Sequence, residues 1–143
     1  MNTQPTPLSE VRRTLRVKWY RSPIDRTRLV ELMQRSNLRA AFQAVGHLGL
    51  WVATGIVSYY LYNQQLWVGF GVALFLHGTV GSFFKGLAVH ELGHGTVFTS
   101  KKVNRAFLYI YSLLGWWNHH EYAMSHTYHH RYTLHPEGDG ERN

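Results

Sequence analysis

The sequence predicts an all-α, integral membrane protein built on a two-helix transmembrane hairpin. Residues 40–62 and residues 66–84 are uncharged, apolar runs of 23 and 19 positions, and only the short polar turn 63–65 separates them. Each run is long enough to cross the hydrocarbon core of a bilayer as a helix. Soluble helices seldom run this long without a charge, so a buried hairpin of a soluble helical bundle is the weaker interpretation.

Basic residues flank the hairpin on both outer sides. Nine of the fifteen Lys and Arg residues lie between Arg12 and Arg39, directly before the first run. The first basic residues after the second run are Lys85, Lys101, Lys102 and Arg105. The turn has none, so by the positive-inside rule both flanks are cytoplasmic. Residues 1–39 are therefore predicted to be a basic cytoplasmic tail beside anionic lipid head groups, and the net charge of +7 is not assigned to nucleic-acid binding.

The tail itself contains three predicted segments. Residues 1–9 are polar with two prolines, which predicts disorder. Residues 10–20 are predicted to form a basic amphipathic helix at the membrane surface, because their apolar residues are spaced four apart. The alternative is a solvated charged helix or loop. Asp25 is placed to cap a second short helix that runs through Arg35.

Polar residues return after the hairpin. Residues 106–117 are apolar, but 12 residues are too few to span a bilayer, so an interfacial or re-entrant helix is expected. Residues 134–143 are rich in turn formers and end in charge. The sequence has no cysteine, which excludes disulfides, thiolate zinc sites and iron-sulfur clusters. Histidine, with ten copies, is the only abundant candidate metal ligand.

The first histidine cluster is HELGH, with His90 and His94 four residues apart. On a helix this spacing places two imidazoles on one face about one turn apart, as a single metal ion requires. The string also matches the H-E-x-x-H motif of zinc proteases, in which Glu91 would be the general base acting on a metal-bound water. A protease would need a third ligand, for which Asp139 is the only downstream aspartate.

The second cluster is HTYHH, with His126, His129 and His130 at positions that share one helical face. A typical catalytic zinc takes three protein ligands in total, so five clustered imidazoles indicate more than one metal ion. Nitrogen ligands suit iron, copper, nickel or zinc. For His47 and His77, which lie in or near the apolar runs, we favour an ordinary structural role over a ligand role.

The two clusters together resemble the membrane fatty acid desaturase and hydroxylase superfamily. HELGH after an apolar hairpin, with HTYHH about 30 residues later, is similar to the first two histidine boxes of that family. The matching positions are His90, His94, His126, His129 and His130. The run SHTYHHRYTLHPEGDGE resembles bacterial members, and the resemblance covers about residues 40–141.

The resemblance implies two iron ions, held mainly by histidines at the cytoplasmic side of a multi-pass protein of the bacterial inner membrane. It implies oxygen-dependent desaturation of a fatty acyl chain, or the related hydroxylation of an acyl or alkyl chain. Dioxygen would be the oxidant, and a small ferredoxin-type or cytochrome-type protein would supply electrons. Glu91 would then hold a ligand ring in position, in contrast to its role in a protease.

The sequence departs from the family pattern because a third histidine box is absent. His119, His120 and His135 do not form the missing motif and are weaker candidates for binding or supporting the metal. Residues 40–143 are therefore expected to be the N-terminal portion of a desaturase-like membrane domain, and the chain a fragment of the complete enzyme. The competing interpretations are an intramembrane zinc metalloprotease and an inactive truncated remnant.

Overall fold

The structure is a computed structural model and describes residues 8–141. All regular structure in this range is helical, which confirms the all-α prediction for this part of the chain. The elements are α1 (Leu8–Thr14), α2 (Arg26–Leu32), α3 (Asn37–Asn63), α4 (Trp67–Phe83), a π-helical segment (Phe84–Val89), α5 (His90–Gly93), α6 (Lys101–Leu114) and α7 (His119–Tyr132). The chain divides into two compact units, which we call the hairpin unit (residues 33–119) and the terminal unit (residues 8–32 with 120–141).

The hairpin unit is built on α3 and α4, which pack along each other. Both apolar runs are helical as predicted, and the turn between them is observed at residues 64–66. The turn closes when the Leu66 amide donates to the Leu61 carbonyl, and Gln65 adopts a φ of 56°. Helix α4 ends at Phe83, one residue before the predicted end of the second run, and helical structure continues through the π segment directly into α5.

A polar contact between the two helices of the hairpin accounts for the presence of His77 in an apolar run. Its Nδ1 lies 3.0 Å from the Thr54 hydroxyl oxygen, and its ring stacks on Trp51 with centroids 5.0 Å apart. Gly55 makes room for the ring, since a Cβ there would lie 3.1 Å from His77 Cε1. His77 therefore joins the two helices, in agreement with the structural role that the sequence favoured.

Two helical stretches are long and apolar enough to cross a membrane, Arg26–Asn63 and Trp67–Gly93. Few of their residues are buried inside the fold. Large apolar side chains such as Phe42 (81% exposed) and Val68 (86%) point away from the protein. The core helix of a soluble protein would bury such residues, so these two helices expose an unusually large apolar surface.

Helix α6 packs on the hairpin through one buried tyrosine. Tyr111 donates its hydroxyl to the Ala44 carbonyl at 2.8 Å and stacks on His47, with ring centroids 5.7 Å apart. Burial raises the pKa of Tyr111 to about 12. The ring nitrogens of His47 contact the Tyr111 hydroxyl (3.2 Å) and the Val80 carbonyl (3.0 Å), so His47 is occupied in holding three helices together.

The loop between α5 and α6 is fixed from both sides. The buried Asn104 amide nitrogen donates to the carbonyls of Gly95 (3.2 Å), Phe98 (2.8 Å) and Ser100 (3.0 Å). Its side-chain oxygen accepts from the Phe98 amide at 3.0 Å. Arg35 donates to the same Gly95 and Phe98 carbonyls. These hydrogen bonds therefore fix the loop that follows the first histidine box, although the loop has no regular secondary structure.

Replacing Asn104 by alanine is expected to destabilise the chain by about 2–3 kcal/mol, because the buried Phe98 amide loses its side-chain acceptor and three loop carbonyls each lose one donor. Asn63→Ala is the matched control. Asn63 makes one exposed hydrogen bond to the Tyr59 carbonyl, and its loss should cost within about 0.5 kcal/mol. Thermal unfolding in neutral detergent measures both, and equal shifts of the two variants would contradict the role given to Asn104.

The terminal unit combines the start of the described chain with α7. Val11 is buried at 1% exposure, and the Trp19 indole donates to the Arg131 carbonyl at 3.0 Å. The predicted helix over 10–20 is observed only in part, because α1 ends at Thr14 and Trp19 instead makes this long-range bond. Of residues 1–9, predicted to be disordered, residues 1–7 lie outside the described part and residues 8 and 9 belong to α1.

Helix α2 begins as predicted. Asp25 accepts the Arg28 amide at 2.8 Å, which is the predicted N-terminal cap. The helix ends at Leu32, earlier than the predicted end at Arg35. Arg35 is used in the loop contacts described above, so the predicted extension was wrong.

Candidate metal centre

The first histidine box follows the π segment without a break. His90 begins α5 and His94 is its C-cap, and their rings meet edge to face with centroids 4.8 Å apart. Each ring offers a ligand nitrogen within 4.8 Å of the other. A π turn adds a residue to the helical path and turns the following residues about the axis, and such turns are frequent at functional sites. The π segment therefore sets the direction in which this pair faces.

Glu91 holds one ring of the first box. Its Oε1 lies 2.8 Å from His90 Nδ1. Because Nδ1 is engaged by the carboxylate, His90 can bind a metal only through Nε2. A carboxylate that orients a metal-binding histidine makes this kind of contact, with the ring nitrogen that does not bind the metal.

The box ends at a glycine for a conformational reason. Gly95 has a φ of +66°, which a residue with a side chain adopts only with strain, and its amide donates to the Leu92 carbonyl. Its own carbonyl accepts from Arg35 and Asn104. The end of the first box is thus tied to the rigid loop that follows.

The second box lies on α7, as its spacing predicted. His126 Nε2 and His130 Nε2 are 2.9 Å apart, and the two rings meet edge to face with centroids 4.4 Å apart. His129 is offset from them, with ring centroids 5.7 Å from His126 and 5.9 Å from His130. His126 is buried, and its Nε2 and that of His130 converge on one point.

Two carboxylates from the closing turn hold rings of the second box. Glu141 Oε1 and Oε2 each lie 3.2 Å from His126 Nδ1, and Asp139 Oδ1 lies 2.8 Å from His129 Nδ1. The sequence did not assign Glu141 any role and considered Asp139 only as a protease ligand. The acidic residues of the turn-rich stretch that follows the second box were the available signal, since metal-binding histidines commonly pair with carboxylates.

Asp139 is itself fixed by the turn. Its Oδ2 accepts the Leu134 amide at 2.8 Å, and its Oδ1 accepts the Glu141 amide at 3.1 Å. Only 1% of its side chain is accessible. With both oxygens engaged, Asp139 serves as a holder of His129, which speaks against the third-ligand role that a protease would need.

The His129–Asp139 contact shifts both titrations. The hydrogen bond to Asp139 raises the pKa of His129, and the same bond lowers the pKa of Asp139. In the metal-free chain this pair stabilises the fold between those two pKa values. The contribution is lost as pH rises through the raised pKa of His129 or falls through the lowered pKa of Asp139.

The weaker candidates for the metal centre are His119, His120 and His135. His119 starts α7 and tilts against Tyr109 with centroids 4.9 Å apart, and His120 is exposed. His135 meets Trp19 edge to face, with centroids 5.9 Å apart. The part of these three side chains in metal binding stays a prediction.

The donor set fits a histidine-bound metal. Three of the five box histidines, His90, His126 and His129, have Nδ1 on a carboxylate, which fixes the ring and raises the basicity of the ligand nitrogen. The donors are neutral imidazole nitrogens, which suit iron as well as other transition metals. Ring direction and donor chemistry are thus prepared for metal binding in each box.

Comparison with known proteins connects these boxes to one family. The sequence model of the family described as Fatty acid desaturase matches residues 65–143. The match begins in the turn before α4, contains both histidine boxes and covers more than half of the chain. A search of the curated proteins and a search of the solved structures each gave no match. The chain belongs to the fatty acid desaturase family.

Proposed function

We propose that this chain takes part in oxygen-dependent desaturation of a fatty acyl chain at a histidine-ligated di-iron centre. The proposed ligands are His90, His94, His126, His129 and His130. The observation that carries the proposal is the pairing of ring nitrogens with Glu91, Asp139 and Glu141 in a chain of the fatty acid desaturase family. Bound iron would activate dioxygen, the oxidant, for removal of hydrogen from an unactivated acyl methylene.

The protein's own part in this chemistry is to fix the rings. Each carboxylate occupies an Nδ1 and thereby selects the tautomer in which Nε2 is the ligand atom. The π segment and the loop tied by Asn104 hold the first box, and the closing turn holds the second. Such preorganisation lowers the cost of assembling several imidazoles around metal ions.

An apolar cavity in the hairpin unit supports an acyl substrate. It has a volume of about 380 Å³ and lies beside Glu91 of the first box. Its apolar walls include Phe83, Leu87, Leu92 and Val97. A hydrocarbon chain gains free energy on entering such a space because its methylenes leave water. Hydroxylation of an acyl or alkyl chain uses the same kind of cavity and is the alternative reaction.

The proposed function includes a location in a membrane. We propose that residues 40–62 and 66–84 cross the bilayer and that the histidine boxes lie on the cytoplasmic side, in the inner membrane of a bacterium. The two long apolar helices with exposed apolar faces and the basic flanks support this orientation. The proposed partners are dioxygen and a small electron-transfer protein of the ferredoxin or cytochrome type.

The zinc protease alternative uses Glu91 differently. In that mechanism the carboxylate must act on a metal-bound water. Here it bonds to the ring of its neighbour His90, at 2.8 Å. The protease interpretation also leaves His126, His129 and His130 without a purpose. The position of Glu91 therefore supports the desaturase proposal.

Replacing Glu91 separates the two functions. Glu91→Gln keeps an oxygen that can accept from His90 Nδ1, so we expect iron binding close to that of the unaltered protein. Glu91→Ala removes the acceptor, and we expect the affinity for iron to fall by about 10- to 100-fold. A protease would instead lose turnover on the order of 100-fold or more in both variants, because its general base is gone.

Metal analysis and titration with ferrous iron measure these effects, and cleavage of a peptide substrate is assayed alongside. Purified protein should contain iron. Stoichiometric zinc without iron, or peptide cleavage that both variants abolish, would overturn the proposal in favour of the protease.

A further inference from the structure

The terminal unit contains a basic cleft that the proposed metal chemistry does not use. Its volume is about 510 Å³. The lining residues are Ser9, Arg12, Arg13, Arg16, Tyr128 and Arg131. Four guanidinium groups and two hydroxyl groups therefore share one cavity, and no carboxylate lines it.

The charges in this cleft are not neutralised within the described chain. Among residues 8–141, none of the four arginines forms an ion pair, whereas Arg28 elsewhere in this unit pairs with Glu31. Four like charges in one cleft repel each other unless an anion is bound. The guanidinium group has paired donors that match the oxygens of a phosphate, and hydroxyls add further donors. A phosphate ester is therefore the ligand chemistry that this cleft fits.

Tertiary contacts hold the two sides of the cleft together. Val11, on the same helix as Arg12 and Arg13, is buried at 1% exposure. The Trp19 indole donates to the Arg131 carbonyl at 3.0 Å, which ties the segment after α1 to the end of α7. The cleft is thus a built feature of the folded unit, because residues more than a hundred positions apart form its walls.

Exposed aromatic and apolar side chains follow the cleft along the chain. Trp19 is 52% exposed, Tyr20 85% and Ile24 61%. Trp and Tyr gather where a membrane meets water, and basic residues there attract anionic lipids. We infer that the cleft binds the phosphate of an anionic phospholipid head group, with Arg12, Arg13, Arg16 and Arg131 as its ligands. Because Arg131 follows the second histidine box directly, a bound lipid holds the N-terminal segment against the helix that carries the box.

The test titrates the full chain in neutral detergent micelles with dioctanoyl phosphatidylglycerol and follows binding by calorimetry. The triple variant Arg12→Gln, Arg13→Gln, Arg16→Gln should bind at least about tenfold more weakly, since each basic residue contributes to attraction of an anionic lipid. The control triple variant Lys18→Gln, Arg21→Gln, Arg26→Gln removes the same charge from exposed residues outside the cleft. It should retain most of the affinity.

Two further probes define the ligand. Dioctanoyl phosphatidylcholine carries a phosphate but no net charge and should bind more weakly than phosphatidylglycerol. Glycerol 3-phosphate lacks acyl chains and should compete poorly. Arg16→Lys keeps the charge but loses the paired donors, so an intermediate affinity is expected, and this mild change keeps the test valid if the triple variant is unstable.

Several results would overturn the inference. Equal losses in the two triple variants would mean diffuse attraction by a basic segment without a site. Glycerol 3-phosphate binding as tightly as the lipid would assign the cleft to a soluble phosphate ester. Absence of binding by the unaltered chain would leave the cleft without this function. None of these results depends on iron, so the inference stands or falls separately from the proposed desaturation.

Discussion

Replacing both His126 and His130 by alanine is expected to abolish iron binding and any oxidation that depends on it. Their Nε2 atoms lie 2.9 Å apart on α7, so both rings present their ligand atoms at one point. Loss of a carboxylate that merely holds a ligand ring typically lowers metal affinity by about 10- to 100-fold. Loss of two ligands at once should exceed that range, because the second box then keeps only His129 of its three imidazoles.

The measurement is iron stoichiometry and affinity in the purified protein, with helix content followed by circular dichroism. His135→Ala is the control, since the contact described for His135 is the edge of the Trp19 ring. It should keep its iron. An equal loss in the control would mean that iron loss is not specific to the second box, whereas unchanged iron in the double variant would remove α7 from the metal centre.

The histidine boxes were predictable because their signal is local. Positions 126, 129 and 130 share a face on any helix, and α7 forms there as expected. The same holds for α3 and α4, since an uncharged apolar run of about 20 residues has few other stable states. Asp25 as the cap of α2 is a third example, because a cap acts on the next three residues only.

What the sequence did not predict depends on contacts between distant residues. Glu141 reaches His126 across 15 positions, and Trp19 reaches Arg131 across 112. No periodicity encodes such pairs. The π segment before the first box also has no local signature, since its residues, FKGLAV, suit an ordinary α-helix equally well. The residues that orient the imidazole rings were therefore harder to predict from the sequence than the histidines themselves.

The second large effect is expected from Gly138, which lies outside both histidine boxes. A Cβ on Gly138 would lie 2.6 Å from Tyr132 Cγ and 2.8 Å from Tyr132 Cβ. Tyr132 is 1% exposed, and these atoms lie at the base of its side chain, so it cannot rotate away. Gly138→Ala should therefore displace the closing turn and destabilise the terminal unit by about 1–3 kcal/mol.

The displaced turn carries both carboxylates of the second box. Asp139 follows Gly138 directly, and its bonds to His129 and to the Leu134 amide depend on the path of the turn. We therefore expect Gly138→Ala to lower iron affinity by about 10- to 100-fold, as the loss of a ring-holding carboxylate does. Asp139→Asn alone should give part of this effect, because it weakens one ring without moving the turn.

Gly140→Ala is the matched control, two residues away in the same turn. Its Cβ would lie 3.6 Å from the Ser125 hydroxyl oxygen, an ordinary contact. Thermal unfolding of the three variants measures the effect on packing, and iron titration measures the effect on metal affinity. If Gly138→Ala lowers the unfolding temperature and leaves iron affinity unchanged, the turn is structural only and Asp139 and Glu141 do not direct the rings. If affinity falls in Gly138→Ala and Asp139→Asn but not in Gly140→Ala, the metal is bound through rings that the closing turn holds in place.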